Sequence, residues 1–137
     1  MTRDRYLEIE VDRSWVYLTG ADRLPSATSR VAGHLRAIRD AARRGGADVV
    51  VVVIPDEAQV NRDLQAEVLR AAGRSAAEMD FDLPNRAIAA ELANDGLPIL
   101  DLLPVFRRES AGMNLYKPQD THWNIAECHL GAGRSVE

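Results

Sequence analysis

The feature that most constrains the fold is the apolar run between Asp48 and Pro55, which consists of VVVVVI. The run does not alternate between apolar and polar residues, as a strand with one solvent-exposed face would. Continuous apolar strands of this kind are typical of parallel sheets that helices cover on both faces. The sequence therefore predicts a central parallel strand that is buried on both faces.

Helical periodicity on both sides of this strand predicts an α/β fold. Between residues 24 and 44, one apolar stripe is formed by Val31, Leu35, Ile38 and Ala42. The order of elements is that of a three-layer α/β domain, and we treat the 137-residue chain as one domain. The remaining predicted elements are helices over residues 60–72, 85–94, 103–109 and 123–130, and a second parallel strand over 97–102.

The N-terminal segment predicts a β-hairpin over residues 5–19. Leu7, Ile9 and Val11 alternate with polar residues and would share one face of a strand. Three polar residues follow as a turn, and residues 15–18 are rich in β-prone side chains.

Composition excludes several classes of function. The formal net charge is -4 and the isoelectric point is near 5.4, which excludes a nucleic-acid binder for the chain as a whole. The single cysteine, Cys128, excludes an internal disulfide. No apolar run approaches the roughly 18 residues of a membrane-spanning helix, and the N-terminus lacks the apolar segment of a signal peptide. We therefore expect a cytoplasmic protein without a membrane partner.

The segment with the clearest chemistry covers residues 116–124 and reads YKPQDTHWN. In an extended segment, Asp120 and His122 would point to the same side. The carboxylate can then hold one ring nitrogen of the imidazole, while the other nitrogen accepts a proton from a nucleophile. The pair forms the base and orienting groups of a hydrolytic triad, with Trp123 as a wall and Asn124 as a hydrogen-bonding neighbour.

DTHWN, together with LDLLP at residues 100–104, resembles the last block of the SGNH (GDSL-like) hydrolases. The resemblance is to the Asp-x-His variant that also occurs in alginate O-acetylation proteins, and residues 24–130 resemble the C-terminal part of such a hydrolase. It implies part of a flavodoxin-like or SGNH-type parallel sheet. It also implies a serine esterase or acyl transferase acting on small acyl groups, with acetyl esters of sugars as the favoured class. By this resemblance His122 is the general base and later the general acid, and Asp120 orients it.

The chain departs from the family pattern at the nucleophile. The family serine usually lies in a Gly-Asp-Ser turn, which this sequence lacks, and Glu127 stands where members usually have glycine. None of the serines lies on a strand-to-helix elbow, and Ser26 and Ser110 are the least unfavourable candidates. These departures predict an isolated chain without activity. The alternative function is a non-catalytic, dimeric interaction domain.

Asp56 is a further candidate for substrate binding. It follows the apolar strand directly, and α/β folds bind ligands at the carboxyl ends of their strands. The resembled family often carries a similar Ile-Pro-Asp sequence at this point. The other interpretation is that Asp56 caps the helix that follows.

A metal site is a second interpretation of the C-terminal residues. Zinc accepts carboxylate, imidazole and thiolate ligands, and the chain offers Asp120, His122, Glu127, Cys128 and His129 within ten residues. Their spacing matches no recognised zinc motif, and adjacent residues point apart on a helix. We therefore predict neither a metal nor another cofactor.

The predicted sheet is thin, because it has only two parallel strands and a hairpin. The valine-rich strand would have an unpaired apolar edge, which is prone to association unless it is covered. The hairpin would cover this edge, or a second copy of the chain would. We expect a homodimer through the exposed sheet edge. Such a dimer would also offer a route for a serine of one chain to reach His122 of the other.

Overall fold

The computed structural model describes residues 1–123, which form a mixed α/β fold around a small parallel sheet. The predicted α/β class is confirmed. Apart from Trp123, the predicted helix over 123–130 lies outside the described residues. In chain order the elements are α1 (Arg3–Arg13), a 3₁₀ turn (Ser14–Tyr17), α2 (Arg23–Arg44), β1 (Val51–Val53), α3 (Glu57–Val60), α4 (Arg62–Ala71), α5 (Leu83–Leu92), β2 (Ile99–Asp101) and α6 (Leu103–Glu109).

The two strands are parallel, as predicted, and helices α2 and α5 cover one face of their sheet. Val51 pairs with Ile99 and Val53 with Asp101 in the strand register. Between the helices and the sheet, Ala32 and Leu92 are buried together with Leu97. The partly buried residues packed against them are Leu35, Val49, Val51, Ile88 and Ile99.

The second face of the sheet is open, which corrects the expectation that the valine-rich strand is buried on both sides. Val50, Val52, Ile54 and Leu100 are 59%, 48%, 43% and 50% exposed. The reason is geometric, since side chains alternate along a strand and both covering helices pack on the same face. Within residues 1–123, every second residue of the run therefore faces solvent.

The predicted N-terminal hairpin is wrong, because this segment forms α1 and a 3₁₀ turn. The Thr2 hydroxyl oxygen caps α1 by accepting the Arg5 N–H at 3.3 Å. Tyr6 and Glu10, one helical turn apart, are both buried. The buried residues are therefore spaced as in a helix. Their packing outweighs the short alternation of apolar and polar residues from which we predicted strands.

Helix α2 has the predicted length, and Leu35 of the predicted stripe packs against the core, but the buried face is rotated away from the rest of the stripe. Val31 and Ile38, which the apolar stripe placed in the core, are 50% and 54% exposed. The core side of α2 carries Thr28 and Ala32 instead. Arginines provide the reason, because Arg36 and its neighbours bind the end of α5 and set the rotation of the helix.

The arginines of α2 act as capping groups for α5. Arg36 donates to the Glu91 carbonyl at 3.0 Å and contacts Asp95 at 2.8 Å. Arg39 donates to the Asp95 carbonyl at 2.7 Å. Cations that reach the last carbonyls of a helix satisfy orphan acceptors and complement the helix dipole. This role accounts for Arg36 and Arg39 of α2 without a ligand.

The predicted helix over residues 60–72 begins earlier, and Asn61 divides it into α3 and α4. The Asn61 side chain accepts the N–H groups of the second and third residues of α4, at 3.0 and 3.2 Å. Val60, Leu64 and Val68 lie one helical turn apart and are buried. Helices α5 and α6 also form where the sequence predicts them. No helix within residues 1–123 is both long enough and apolar enough to span a bilayer.

Two further clusters of buried side chains complete the core, and the second positions the loop that follows α6. In the first, α1 packs against α4 through Tyr6, Leu64 and Val68. The second lies under the loop that follows α6 and consists of Val60, Leu103, Phe106, Leu115 and Tyr116. Because Leu115 and Tyr116 lie in this core, the chain after α6 is anchored immediately before the Asp120 region.

Candidate functional site

The predicted site lies on a loop whose first and last residues pair with each other through their backbones. Tyr116 and Trp123 form an antiparallel bridge, and the Lys117 N–H donates to the His122 carbonyl at 3.0 Å. The buried Tyr116 hydroxyl donates to the Pro55 carbonyl at 2.9 Å. These contacts hold the loop beside the carboxyl end of β1, where α/β folds place their ligands.

Within the loop, Asp120 and His122 are in direct contact. Oδ1 of Asp120 lies 2.6 Å from Nδ1 of His122 and also accepts the His122 backbone N–H at 3.1 Å. The backbone here is a turn rather than an extended strand, because Gln119 has a φ of 54° and the Asp120 N–H donates to the Lys117 carbonyl at 3.1 Å. The side chains therefore meet through an Asx-type turn, which corrects the extended geometry assumed from the sequence.

The electrostatics of this pair keep the carboxyl group charged. The hydrogen bond to the His122 ring, followed by the bond to its backbone N–H, lowers the pKa of Asp120. A carboxylate acceptor at Nδ1 favours the tautomer that carries its proton there, and Nε2 then presents a lone pair. The side chain of His122 is 76% exposed, so Nε2 is accessible to a ligand or to a proton donor.

No serine among residues 1–123 donates its hydroxyl to His122. Ser14 donates to the Val11 carbonyl at 2.7 Å. Ser110 donates to the Arg107 carbonyl at 3.0 Å. These bonds to nearby backbone are those of residues at helix ends, and they engage the hydroxyl protons locally.

The other predicted site residues are placed differently. Trp123 is 39% exposed and follows His122 directly, while Asn124 lies outside the described residues. Asp56 caps α3, since its carboxylate accepts the Glu57 N–H at 2.8 Å in a capping box with Gln59. The capping interpretation of Asp56 is therefore confirmed, and its role in substrate binding stays a prediction.

A polar cleft of about 930 Å³ opens next to the loop. Its walls come from residues 57–65 and 107–116, and Ser110 is one of them. Tyr116 joins the cleft to the loop, because it lines the cleft and its backbone pairs with Trp123. His122 is not a lining residue, so the imidazole stands beside this cleft rather than in it.

A partly buried chain of hydrogen bonds, which the sequence does not predict, joins the carboxyl ends of the two strands. The Gln59 side chain accepts the Asp56 N–H at 2.9 Å and donates to Asn85 at 2.8 Å. Asn85 donates in turn to Asp101 at 2.7 Å, and Asp101 accepts the Leu103 N–H at the start of α6. The Asp-x-x-Gln spacing at residues 56–59 is a capping-box signal that could have located its first part.

A second unpredicted cluster surrounds Glu10, which is 2% exposed. Arg13 lies 3.4 Å from Glu10 and 3.0 Å from Asp56, and the Tyr6 hydroxyl donates to Glu57 at 2.5 Å. Burial, reinforced by the negative charge of Asp56, raises the pKa of Glu10 to about 7. The hairpin prediction did not single out this residue, because it assigned a shared face only to Leu7, Ile9 and Val11.

The described part of the chain contains no group of three or more histidine, cysteine, aspartate or glutamate side chains arranged to hold a metal ion. Of the zinc ligands considered from the sequence, Glu127, Cys128 and His129 lie outside the described residues.

Comparison with protein-family models gives a match over most of the sequence. Residues 11–135 match the SGNH hydrolase-like domain of the acetyltransferase AlgX. Comparisons with curated proteins and with solved structures gave no match. The match covers most of the chain, including the resembling segments at residues 100–104 and 116–124.

Proposed function

Because this chain belongs to the family of AlgX-type SGNH hydrolase-like domains, we propose that Asp120 and His122 are the acid–base pair of an acyl-transfer reaction. The observation that carries the proposal is the 2.6 Å contact between Oδ1 of Asp120 and Nδ1 of His122. A base that is oriented by a carboxylate and has its second nitrogen accessible is the arrangement that nucleophile activation requires.

The pair performs two proton transfers in this reaction. Nε2 of His122 takes the proton of an attacking hydroxyl group while the oxygen forms a bond to the acyl carbon. The charged Asp120 stabilises the imidazolium that results. The imidazolium then donates the same proton to the departing alcohol as the original ester bond breaks. Attack by water or by an acceptor alcohol, with the same two transfers, completes hydrolysis or transfer.

The proposed substrates are small acyl esters, with acetyl esters of sugars as the favoured class. The family name supports an acetyl group, since the matched domain is that of an acetyltransferase. Trp123, half-exposed next to His122, is suited to form a wall of the acyl site. Asn124 and Asp56 are proposed as polar contacts to the substrate.

A second candidate is a non-catalytic domain that keeps the α/β scaffold. It is favoured by the local bonding of the serines, because Ser14 and Ser110 direct their hydroxyls to backbone carbonyls rather than to His122. In this case the Asp120–His122 contact serves to hold the turn. The two candidates differ in whether the imidazole accelerates ester cleavage.

Hydrolysis of p-nitrophenyl acetate by the purified chain tests the proposal. The missing serine turn predicts no serine-dependent activity, but the leaving group of this activated ester departs without protonation, so a base and water suffice and no serine is required. We expect His122→Ala to lower the rate by roughly a hundred-fold, the usual contribution of general base catalysis. His34→Ala is the matched control, since His34 is an exposed histidine on α2, and it should retain the wild-type rate.

Labelling with a fluorophosphonate probe then distinguishes attack by an activated serine from attack by water. Labelling that is lost in His122→Ala would identify a serine activated by the imidazole, whereas His122-dependent hydrolysis without labelling would indicate activation of water. Equal rates of hydrolysis in wild type, His122→Ala and His34→Ala would refute the catalytic proposal and leave the scaffold function.

A further inference from the structure

One wall of the polar cleft carries two side chains that no other part of the fold uses. Arg62 and Gln65 lie in the first turns of α4, and both line the cleft. They are three residues apart, so they lie on the same side of the helix. Within residues 1–123, neither side chain forms a hydrogen bond or an ion pair with another residue. The guanidinium group and the amide are therefore available to a ligand in the cleft.

The charged groups that line the cleft balance one another. Arg107 is paired with Asp82 at 2.5 Å, so its positive charge is already compensated. Glu57 accepts a hydrogen bond from the neutral amide of Asn61 at 3.0 Å, and its formal negative charge offsets that of Arg62. A charged ligand of either sign would meet a like charge among these lining groups, and like charges disfavour binding. The cleft therefore favours an uncharged ligand.

The hydrogen-bonding groups of the cleft are mixed in kind. Arg62 only donates, the carboxylate of Glu57 only accepts, and the amide of Gln65 does both. On the second wall, Ser110 uses its proton on the Arg107 carbonyl at 3.0 Å, which leaves its oxygen as an acceptor. Met113, which also lines the cleft and is 44% exposed, adds an apolar surface. Hydroxyl groups both donate and accept, so a ring that carries several of them satisfies such a lining.

We propose that the polar cleft binds an uncharged sugar and that Arg62 and Gln65 hydrogen-bond its hydroxyl groups. The volume of about 930 Å³ lies within the range of sites that hold small molecules. Tyr116 lines the cleft, and its backbone pairs with Trp123, the residue after His122. A sugar in the cleft thus lies beside the imidazole. Its role as the alcohol half of the reacting ester rests on the proposed function, whereas the binding itself does not.

Titration of the full chain with sugars, followed by two-dimensional ¹H–¹⁵N NMR, tests the proposal. The probes are the methyl glycosides of glucose, galactose and mannose, and glucuronate as an acidic sugar. We expect at least one neutral glycoside to shift the side-chain signals of Arg62 and Gln65 in a saturable manner. Glucuronate should bind more weakly than that glycoside, because its carboxylate approaches Glu57.

Variants of the two residues measure their contribution to binding. Arg62→Ala and Gln65→Ala should each raise the Kd of the glycoside roughly two- to ten-fold, as expected for the loss of one or two hydrogen bonds. Arg70→Ala is the matched control, because Arg70 is an exposed arginine on the same helix that does not line the cleft. This variant should keep the wild-type Kd. The ¹H–¹⁵N spectrum of each variant also reports whether it is folded.

Three results would overturn the sugar site. They are the absence of saturable shifts at Arg62 and Gln65 with all three glycosides, tighter binding of glucuronate than of any neutral glycoside, and an unchanged Kd in both alanine variants.

The failure of this site and the failure of the proposed function give different results. Glycoside binding at Arg62 and Gln65, together with ester hydrolysis that does not depend on His122, would support the sugar site and refute the acid–base role. Hydrolysis that depends on His122, without glycoside binding in the cleft, would refute the sugar site and leave the acid–base pair in place.

Discussion

Replacing Gln59 by alanine is expected to lower the free energy of unfolding by roughly 3–5 kcal/mol. The side chain is 4% exposed. It accepts the Asp56 N–H at 2.9 Å and donates to the Phe81 carbonyl at 2.7 Å and to Asn85 at 2.8 Å. The substitution removes a partner from each of these groups, at roughly 1–3 kcal/mol for each one left unsatisfied, and opens a cavity. Urea denaturation measures the loss.

Gln65→Ala is the matched control for this prediction. Gln65 is a half-buried glutamine on α4 that lines the same cleft, and it is not part of the hydrogen-bond chain. We expect its replacement to change the free energy of unfolding by less than about 1 kcal/mol. Similar losses for the two variants would contradict the role of Gln59 in joining the strand ends.

The effect of Gln59→Ala should extend to the proposed site. Through Asn85, Gln59 is connected to Asp101, which accepts the N–H of the first residue of α6. Helix α6 contributes Leu103 and Phe106 to the core under Tyr116. Breaking this chain of hydrogen bonds therefore loosens the segment that anchors the Asp120–His122 loop. The rate of the hydrolysis that depends on His122 should fall together with the free energy of unfolding.

The parts of the fold that the sequence predicted are those with strong local signals. The valine run predicted a parallel strand because no other element accommodates six consecutive β-prone apolar residues so well. Helix α6 follows from Pro104 at a helix start and from the apolar residues after it. The contact between Asp120 and His122 follows from their separation by a single residue, although the turn that joins them does not.

The incorrect predictions concern which face of an element is buried, because distant residues decide this. The burial of Ala32 rather than Val31 depends on Arg36, whose partners Glu91 and Asp95 lie in and after α5. The helical conformation of α1 depends on packing against Leu64 and its neighbours. Periodicity within a short segment carries no information about such partners.

The hydrogen-bond chain at the strand ends escaped prediction for a related reason. Gln59 and Asn85 are 26 residues apart, and Asn85 and Asp101 are 16 residues apart. Asn85 and Asp101 occur near the ends of a predicted helix and a predicted strand, and Gln59 immediately precedes a predicted helix. At such positions a polar residue ordinarily faces solvent. Only the parallel pairing of β1 with β2 brings the three side chains together.

Replacing Glu10 by glutamine is expected to stabilise the protein most above pH 7. A glutamate in the unfolded chain has a pKa near 4.5, whereas burial and the charge of Asp56 raise the pKa of Glu10 to about 7 in the fold. Between these values the folded state holds a proton that the unfolded state has lost, so the free energy of unfolding falls as pH rises. The difference corresponds to roughly 3 kcal/mol, and glutamine removes it.

The measurement is urea denaturation of wild type and Glu10→Gln at pH 5 and pH 8. The stability gained by the variant should be larger at pH 8 by roughly 2–3 kcal/mol, because part of the wild-type loss has occurred by pH 5. Glu8→Gln is the matched control: Glu8 is exposed on the same helix and pairs with Arg5 at 2.9 Å. Its effect should stay within about 1 kcal/mol at both pH values. The same gain from Glu10→Gln at pH 5 and at pH 8 would contradict this prediction. It would mean that the positive charge of Arg13 keeps Glu10 ionised in the folded state and that burial does not dominate its pKa.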